Sequence, residues 1–184
     1  MPNGGTKHES RSATVNIGDK VLYGSNGVCT VADITENELG TYYILVPLHM
    51  RSTKISVPMK NETLVAKMRP IPRKKEATDA LNRVFSATPY WEENESARRD
   101  QAKEILTSGD EYDLLLLVKS FHLHKQQTLE AGRKMHLADE GILKQGLKCL
   151  HEEYSAVFGI EVEEVEDFIH SMAEKAQSSP KTSR

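Results

Sequence analysis

Cysteine is nearly absent from this chain. Cys29 and Cys149 are the only two in 184 residues, far apart and without a partner motif, so neither a disulfide framework nor a zinc site is indicated. Both read as small buried apolar residues. Long apolar runs are missing too. The longest aliphatic run, Leu114 to Val118, falls far short of the roughly 20 residues that a membrane-spanning helix needs, so no membrane partner is expected. The first fifteen residues hold no apolar stretch that could centre a signal peptide, and a cytoplasmic location is expected. Neither sign of charge dominates. Lys and Arg number 24 against 27 Asp and Glu, a net charge of -3, whereas a protein that held duplex DNA by phosphate contacts alone would be far more basic. Any DNA contact is therefore expected to be weak unless something else delivers the protein. With 38% hydrophobic and 28% charged residues, a packed core is expected.

Catalytic motifs are missing as well: there is no G-x-S-x-G, no P-loop, no G-x-G-x-x-G after a strand and no H-E-x-x-H. His122 and His124 stand two apart in a helical stretch and point away from one another, so a shared metal is disfavoured and a structural or surface role is read for both. No enzyme, cofactor, metal or small-molecule substrate is expected. Asn61-Glu62-Thr63 and Asn94-Glu95-Ser96 match the glycosylation pattern, but without a secretory signal they read as chance matches.

What is present divides into two halves of different periodicity. Up to residue 72, short runs rich in Val, Ile, Tyr and Thr alternate with turn residues, predicting five strands: Lys20 to Tyr23, Val28 to Thr35, Thr41 to Val46, Lys54 to Val57 and Leu64 to Met68. Gly24-Ser25-Asn26-Gly27 and Asn37-Glu38-Leu39-Gly40 supply residues that tolerate positive φ in hairpin turns. Meandering strands of this length predict a small SH3-like or Tudor-like antiparallel barrel. Arg69-Pro70-Ile71-Pro72-Arg73-Lys74-Lys75 reads as a linker. Beyond it proline nearly vanishes and apolar residues recur at helical spacing, predicting helices over 78–85, 96–107, 110–131, from Asp139 to before Gly159, and from Val162 to about Ala176. Asp139 is placed as the N-cap or a first-turn acid of the fourth. The fold class is therefore α+β: a β-barrel domain over 15–72 and an all-helical domain over 73–176, with disordered tails at 1–14 and 177–184.

Charge is unevenly distributed. Residues 1–72 carry a net +2, residues 73–150 are neutral and residues 151–184 carry a net -5. The neutral middle hides local basic groups, among them Arg98, Arg99 and Lys103, and also Lys125, Arg133 and Lys134. The lone tryptophan, Trp91, lies between Pro89-Tyr90 and the acids Glu92, Glu93 and Glu95, at or just before the second helix. It reads either as a cap on the core between helices or as an apolar wedge or stacking platform for nucleic acid, with Arg98, Arg99 and Lys103 as phosphate contacts. Arg99 and Lys103 are i and i+4 and share a helix face.

Several stretches resemble a known family. Ile17-Gly18-Asp19-Lys20-Val21-Leu22-Tyr23, Asn26-Gly27-Val28-Cys29-Thr30-Val31, Tyr43-Ile44-Leu45-Val46 and Lys54-Ile55-Ser56-Val57-Pro58 resemble the N-terminal domain of the CarD/CdnL family of bacterial transcription regulators. They are also similar to the polymerase-binding module of transcription-repair coupling factors. Leu106-Thr107-Ser108-Gly109-Asp110, Leu129-Glu130-Ala131-Gly132-Arg133-Lys134 and Asp139-Glu140 resemble the family's helical domain. This resemblance implies a non-enzymatic regulator whose N-terminal domain binds the RNA polymerase β subunit, by adding an edge strand to the partner's sheet. The stretch Arg51 to Val57, with Arg51, Lys54, Ser56 and Val57, is the implied polymerase contact. It further implies that the helical domain rests on promoter DNA at the upstream edge of the transcription bubble, with Trp91 as a minor-groove wedge that stabilises the open complex and Arg98, Arg99 and Lys103 on the backbone. The alternative from the residues alone is a protein-protein adaptor with a Tudor-like barrel and no direct DNA role.

Overall fold

A computed structural model describes residues 15–108 and 111–178. The expected tail at 1–14, the last six residues and the Gly109-Asp110 step lie outside the described residues. The chain is α+β. Its order is β1 (Lys20–Tyr23), β2 (Val28–Asn37), β3 (Gly40–Pro47), β4 (Ile55–Pro58), α1 (Glu62–Val65), β5 (Met68–Pro70), α2 (Lys74–Ser86), α3 (Glu95–Ser108), α4 (Glu111–Glu130), α5 (Leu137–Phe158) and α6 (Val165–Ser178).

The five strands form one antiparallel sheet in the order β4-β3-β2-β1-β5. Side chains alternate across a strand, and the inward set of Val21, Cys29, Val31, Tyr43, Leu45, Val57 and Met68 closes a small core of its own. The register shifts between Val31 and Asp33, which bends β2 as an inserted residue does. β4 pairs with β3 and β5 with β1, which leaves one side of β4 without a neighbouring strand among the described residues.

Between β4 and β5 the prediction needs correction. Of the expected strand Leu64 to Met68, only Met68 lies in a strand. Asn61 accepts the Leu64 N–H on its side chain at 3.1 Å, nucleating the single turn α1, and the chain rejoins the sheet only when Met68 pairs with Tyr23. The predicted linker is therefore mostly structured: Arg69 and Pro70 belong to β5, and Lys74 opens α2. That helix starts four residues earlier than predicted because the Glu76 carboxylate takes the Arg73 N–H at 2.8 Å, satisfying a donor that the helix cannot.

Ala77, Ala80, Leu81 and Val84 make one buried stripe on α2. It packs with Leu114, Leu115, Leu117, Val118 and Phe121 of α4 and Leu143, Leu150, Tyr154 and Val157 of α5. The C-terminus of α2 is capped from another helix, since the Lys119 ammonium donates to the carbonyls of Val84, Phe85 and Ala87 at 2.8, 3.1 and 2.8 Å, where a cation complements the helix dipole. Tyr154 is fully buried, its hydroxyl 2.7 Å from Glu111 Oε1 and 3.2 Å from the Ala77 carbonyl, so one side chain ties three helices together. Gly159 ends α5 in the left-handed region, φ +72°, its N–H donating to the Ser155 carbonyl. The last helix begins as a single 3-10 turn, Val162–Glu164, and continues as α6 to Ser178, past the point where the tail was expected.

Candidate functional site

The outer edge of β4 is the first element of the site. The Met59 N–H donates to the Thr41 carbonyl at 2.9 Å. Because such pairs alternate along an antiparallel ladder, the backbone groups of Ile55 and Val57 also face β3, and the N–H and C=O of Ser56 face away from it. Arg51, Lys54 and Ser56 are exposed around this edge. Val57 is not. Its side chain is fully buried in the core of the sheet and its backbone groups turn toward β3, so of the expected contact residues Val57 is the one that is not at the surface.

Trp91 is the second element. It sits half-buried against the helical core in the connection between α2 and α3. Its position is set from α4: the Tyr90 N–H donates to Ser120 Oγ at 3.2 Å, and that hydroxyl donates to the Leu116 carbonyl at 2.8 Å. The indole meets Phe121 edge-on, centroids 5.0 Å apart. The His124 imidazole stacks on it at 3.6 Å and 5°, and the Arg98 guanidinium carbon lies over the ring 4.5 Å from its centroid. A ring centred 3.6 Å above one face leaves no room there for a guanidinium, so Arg98 covers the opposite face.

Arg98 also departs from expectation. It is 7% exposed, with Nε and Nη2 donating to the two carboxylate oxygens of Asp139 at 3.1 and 2.8 Å and Nη1 to the Glu92 carbonyl at 2.7 Å. Burial next to an aspartate and an indole outcompetes exposure because the planar fork satisfies both neighbours at once. Arg98, expected as a phosphate contact, is thus buried, engaged by Asp139 and packed on Trp91. Asp139 lies in the first turn of α5, as the acid pattern suggested, but its carboxylate is turned inward. Arg99 and Lys103 are exposed and line, with Leu106, Thr107, Ala138 and Ile142, a shallow depression between α3 and α5. Arg99 is ion-paired with Glu95 one turn away.

Three further cations are engaged. Lys125 approaches Glu140 at 3.8 Å, and Lys74 donates to the Phe158 carbonyl at 3.3 Å. Arg69, on β5, reaches the fully buried Glu153 of α5 at 3.1 and 3.2 Å and fixes the sheet against the helices. Beside it the carboxylate of Glu152 presses on Gly27, where a Cβ would overlap Oε2. Gly27 is at φ +70°, so both conformation and space demand glycine there.

Titration follows this packing. Burial lowers the pKa of His124 below the ordinary histidine value; Arg98 and Arg133 add to that, and Asp139 and Glu93 oppose it. Glu92 is lowered by the Asn94 N–H and then the Tyr90 hydroxyl. Burial pushes the Cys29 thiol up to about 11, with the Glu152 carboxylate adding to it. Burial also raises Cys149. Among the described residues no group of His, Cys, Asp and Glu is placed to hold a metal ion, and no helix is long and apolar enough to cross a membrane.

His124, Ser120 and Asp139 as parts of the tryptophan site were not read from the sequence. Asp139 is 41 residues from its partner Arg98, and no spacing rule joins them. The two apparent glycosylation motifs have a local role instead: Asn61 caps α1, and Asn94 caps α3 by accepting the Ala97 N–H at 3.0 Å.

Together these features form two parts, an antiparallel sheet with β4 at its edge and a set of helices that hold one partly buried indole near the exposed Arg99 and Lys103. Residues 15–71 match the family described as CarD-like/TRCF RID domain, which covers the sheet and ends before α2. This bears out the N-terminal part of the resemblance and supports a transcription-related protein that interacts with RNA polymerase through a protein-interaction domain. No curated protein matches the chain.

Proposed function

We propose that this protein is a transcription regulator that docks on the RNA polymerase β subunit through the free edge of β4, with Arg51, Lys54 and Ser56 around it, and rests its helical domain on promoter DNA. Backbone pairing along the edge supplies affinity without a large apolar patch. At the upstream edge of the transcription bubble, Trp91 enters the minor groove and Arg99 and Lys103 neutralise phosphates, so that the opened promoter is held open. The observation that carries this reading is the placement of the only tryptophan, partly buried and held from α3 and α4, in the same chain as a polymerase-interacting domain.

Charge favours such a division of labour. With Arg98 withdrawn to Asp139, the helical domain has few cations near Trp91, and free duplex would bind weakly at physiological salt. Tethering to polymerase raises the local DNA concentration to about the millimolar range, where a weak contact suffices. The wedge shifts promoter opening only by binding the opened form better than the closed one. The test is footprinting of a promoter with and without cognate polymerase. Protection at the upstream bubble edge that requires both proteins is expected. Binding to polymerase with an unaltered footprint would favour the adaptor, and no polymerase binding would remove the proposal.

A further inference from the structure

The indole of Trp91 is covered on both faces, by His124 on one and Arg98 on the other, and its third neighbour, Phe121, meets it edge-on. A ring so placed has no face left for a base to stack on. What it can offer a ligand is an edge, and the direction of that edge depends on the two groups that flank it. Arg98 is fixed by a two-pronged bond to buried Asp139. Among the described residues, His124 is held only by its own helix and by the stack. It is a half-buried member of α4 that the hydrogen bonds at Tyr90 and Ser120 do not involve.

We infer that His124 is a positioning residue for Trp91, and that its neutral imidazole holds the indole edge-on so that the DNA contact is strong at neutral pH and weakens as His124 is protonated. This rests on the proposed DNA role of Trp91. The groups that face the imidazole are Trp91 itself, Arg98 from α3, Asp139 from α5, Glu93 from the α2–α3 connection and Arg133 beyond α4. Protonation places a second cation against an indole whose other face already carries the Arg98 guanidinium. The direction of the shift agrees: burial and two arginines outweigh two carboxylates, so the folded state disfavours the charged ring. A histidine whose folded value lies below its unfolded value stabilises the fold fully above the unfolded value, near 6.5, and that contribution is lost as pH falls through the folded value.

Two readouts separate the clamp from the wedge. Trp91 is the only tryptophan, so its fluorescence and its quenching by acrylamide report the clamp in the free protein, without DNA or polymerase. His124→Ala is expected to raise quenching. His124→Phe, which keeps a stacking ring and removes the titration, is expected to restore it and to abolish its change between pH 7.5 and 5.5. In open-complex lifetimes on cognate polymerase, His124→Ala is expected to lose about three- to ten-fold, the range of a single aromatic stack, and His124→Phe to recover it. Far-UV circular dichroism confirms that each variant is folded. Unchanged quenching in folded His124→Ala would overturn the clamp whatever the DNA does. Raised quenching with an unchanged lifetime, while Trp91→Ala does shorten it, would overturn the positioning role. If Trp91→Ala leaves the lifetime unchanged, the wedge itself fails, and with it the DNA part of this inference.

Discussion

Asp139 and Arg98 meet with side chains 3% and 8% exposed, so neither charge has water to fall back on. Removing one partner of such a pair strands the other, which typically costs about 3–5 kcal/mol. Asp139→Ala is expected to lower the unfolding free energy by that amount in urea titrations, and to change the emission of Trp91, because the guanidinium above the indole loses its anchor. A loss below about 1 kcal/mol would place the pair in a far wetter setting than its burial indicates. Cys29 offers a second residue-scale check. With its thiol pushed up to about 11, by burial first and the Glu152 carboxylate second, it stays protonated at pH 8, and the thiolate is the reactive form. Native protein is expected to alkylate at Cys29 only after unfolding in denaturant; rapid labelling of the folded protein would contradict the burial described. The sequence shows both residues as far as type allows: Cys29 reads as buried, and of the two places that Asp139 reads for, N-cap or first turn, the structure has the first turn. The pairing of Asp139 was out of reach, because an ion pair across 41 residues leaves no periodic trace.

Among the elements, several lie within two residues of the bounds expected from the sequence. β1 to β4, α3 and α5 are examples. The failures share a cause: a polar side chain, rather than the apolar pattern, decides the backbone. Asn61 turns the start of the expected fifth strand into α1, and Glu76 draws the beginning of α2 back into the expected linker. β4 is the element on which the proposed polymerase contact depends. Since the Ser56 N–H faces away from β3, Ser56→Pro removes a donor from the outer edge and none from the sheet. Polymerase affinity is expected to fall at least about tenfold, the loss of one to two net hydrogen bonds, with the melting temperature of the variant near that of wild type. Unchanged affinity in the folded variant would mean that the partner meets the side chains of the sheet and not its edge.

For the whole molecule, the two domains are joined by more than a connecting segment. Arg69 reaches across to Glu153, and Gly27 receives the carboxylate of Glu152. Gly27→Ala would put a side chain into that carboxylate and a non-glycine residue at φ +70°. It is expected to cost about 1–3 kcal/mol and to lower the melting temperature by several degrees in calorimetry; a neutral effect would show that the junction yields easily. None of this junction was readable beforehand, because Glu152 and Glu153 carry the same sequence signature as a solvated acidic helix face. The same holds for Arg98, whose neighbours Arg99 and Lys103 did stay exposed as expected. The sequence shows Trp91 and the basic residues that follow it, while packing decides which of those cations faces solvent. The proposed function depends most directly on the lifetime of a promoter open complex on cognate polymerase after competitor DNA is added, compared for wild type and Trp91→Ala. The predicted result is a longer lifetime with wild type that Trp91→Ala abolishes at unchanged polymerase affinity; equal lengthening by both proteins would contradict it.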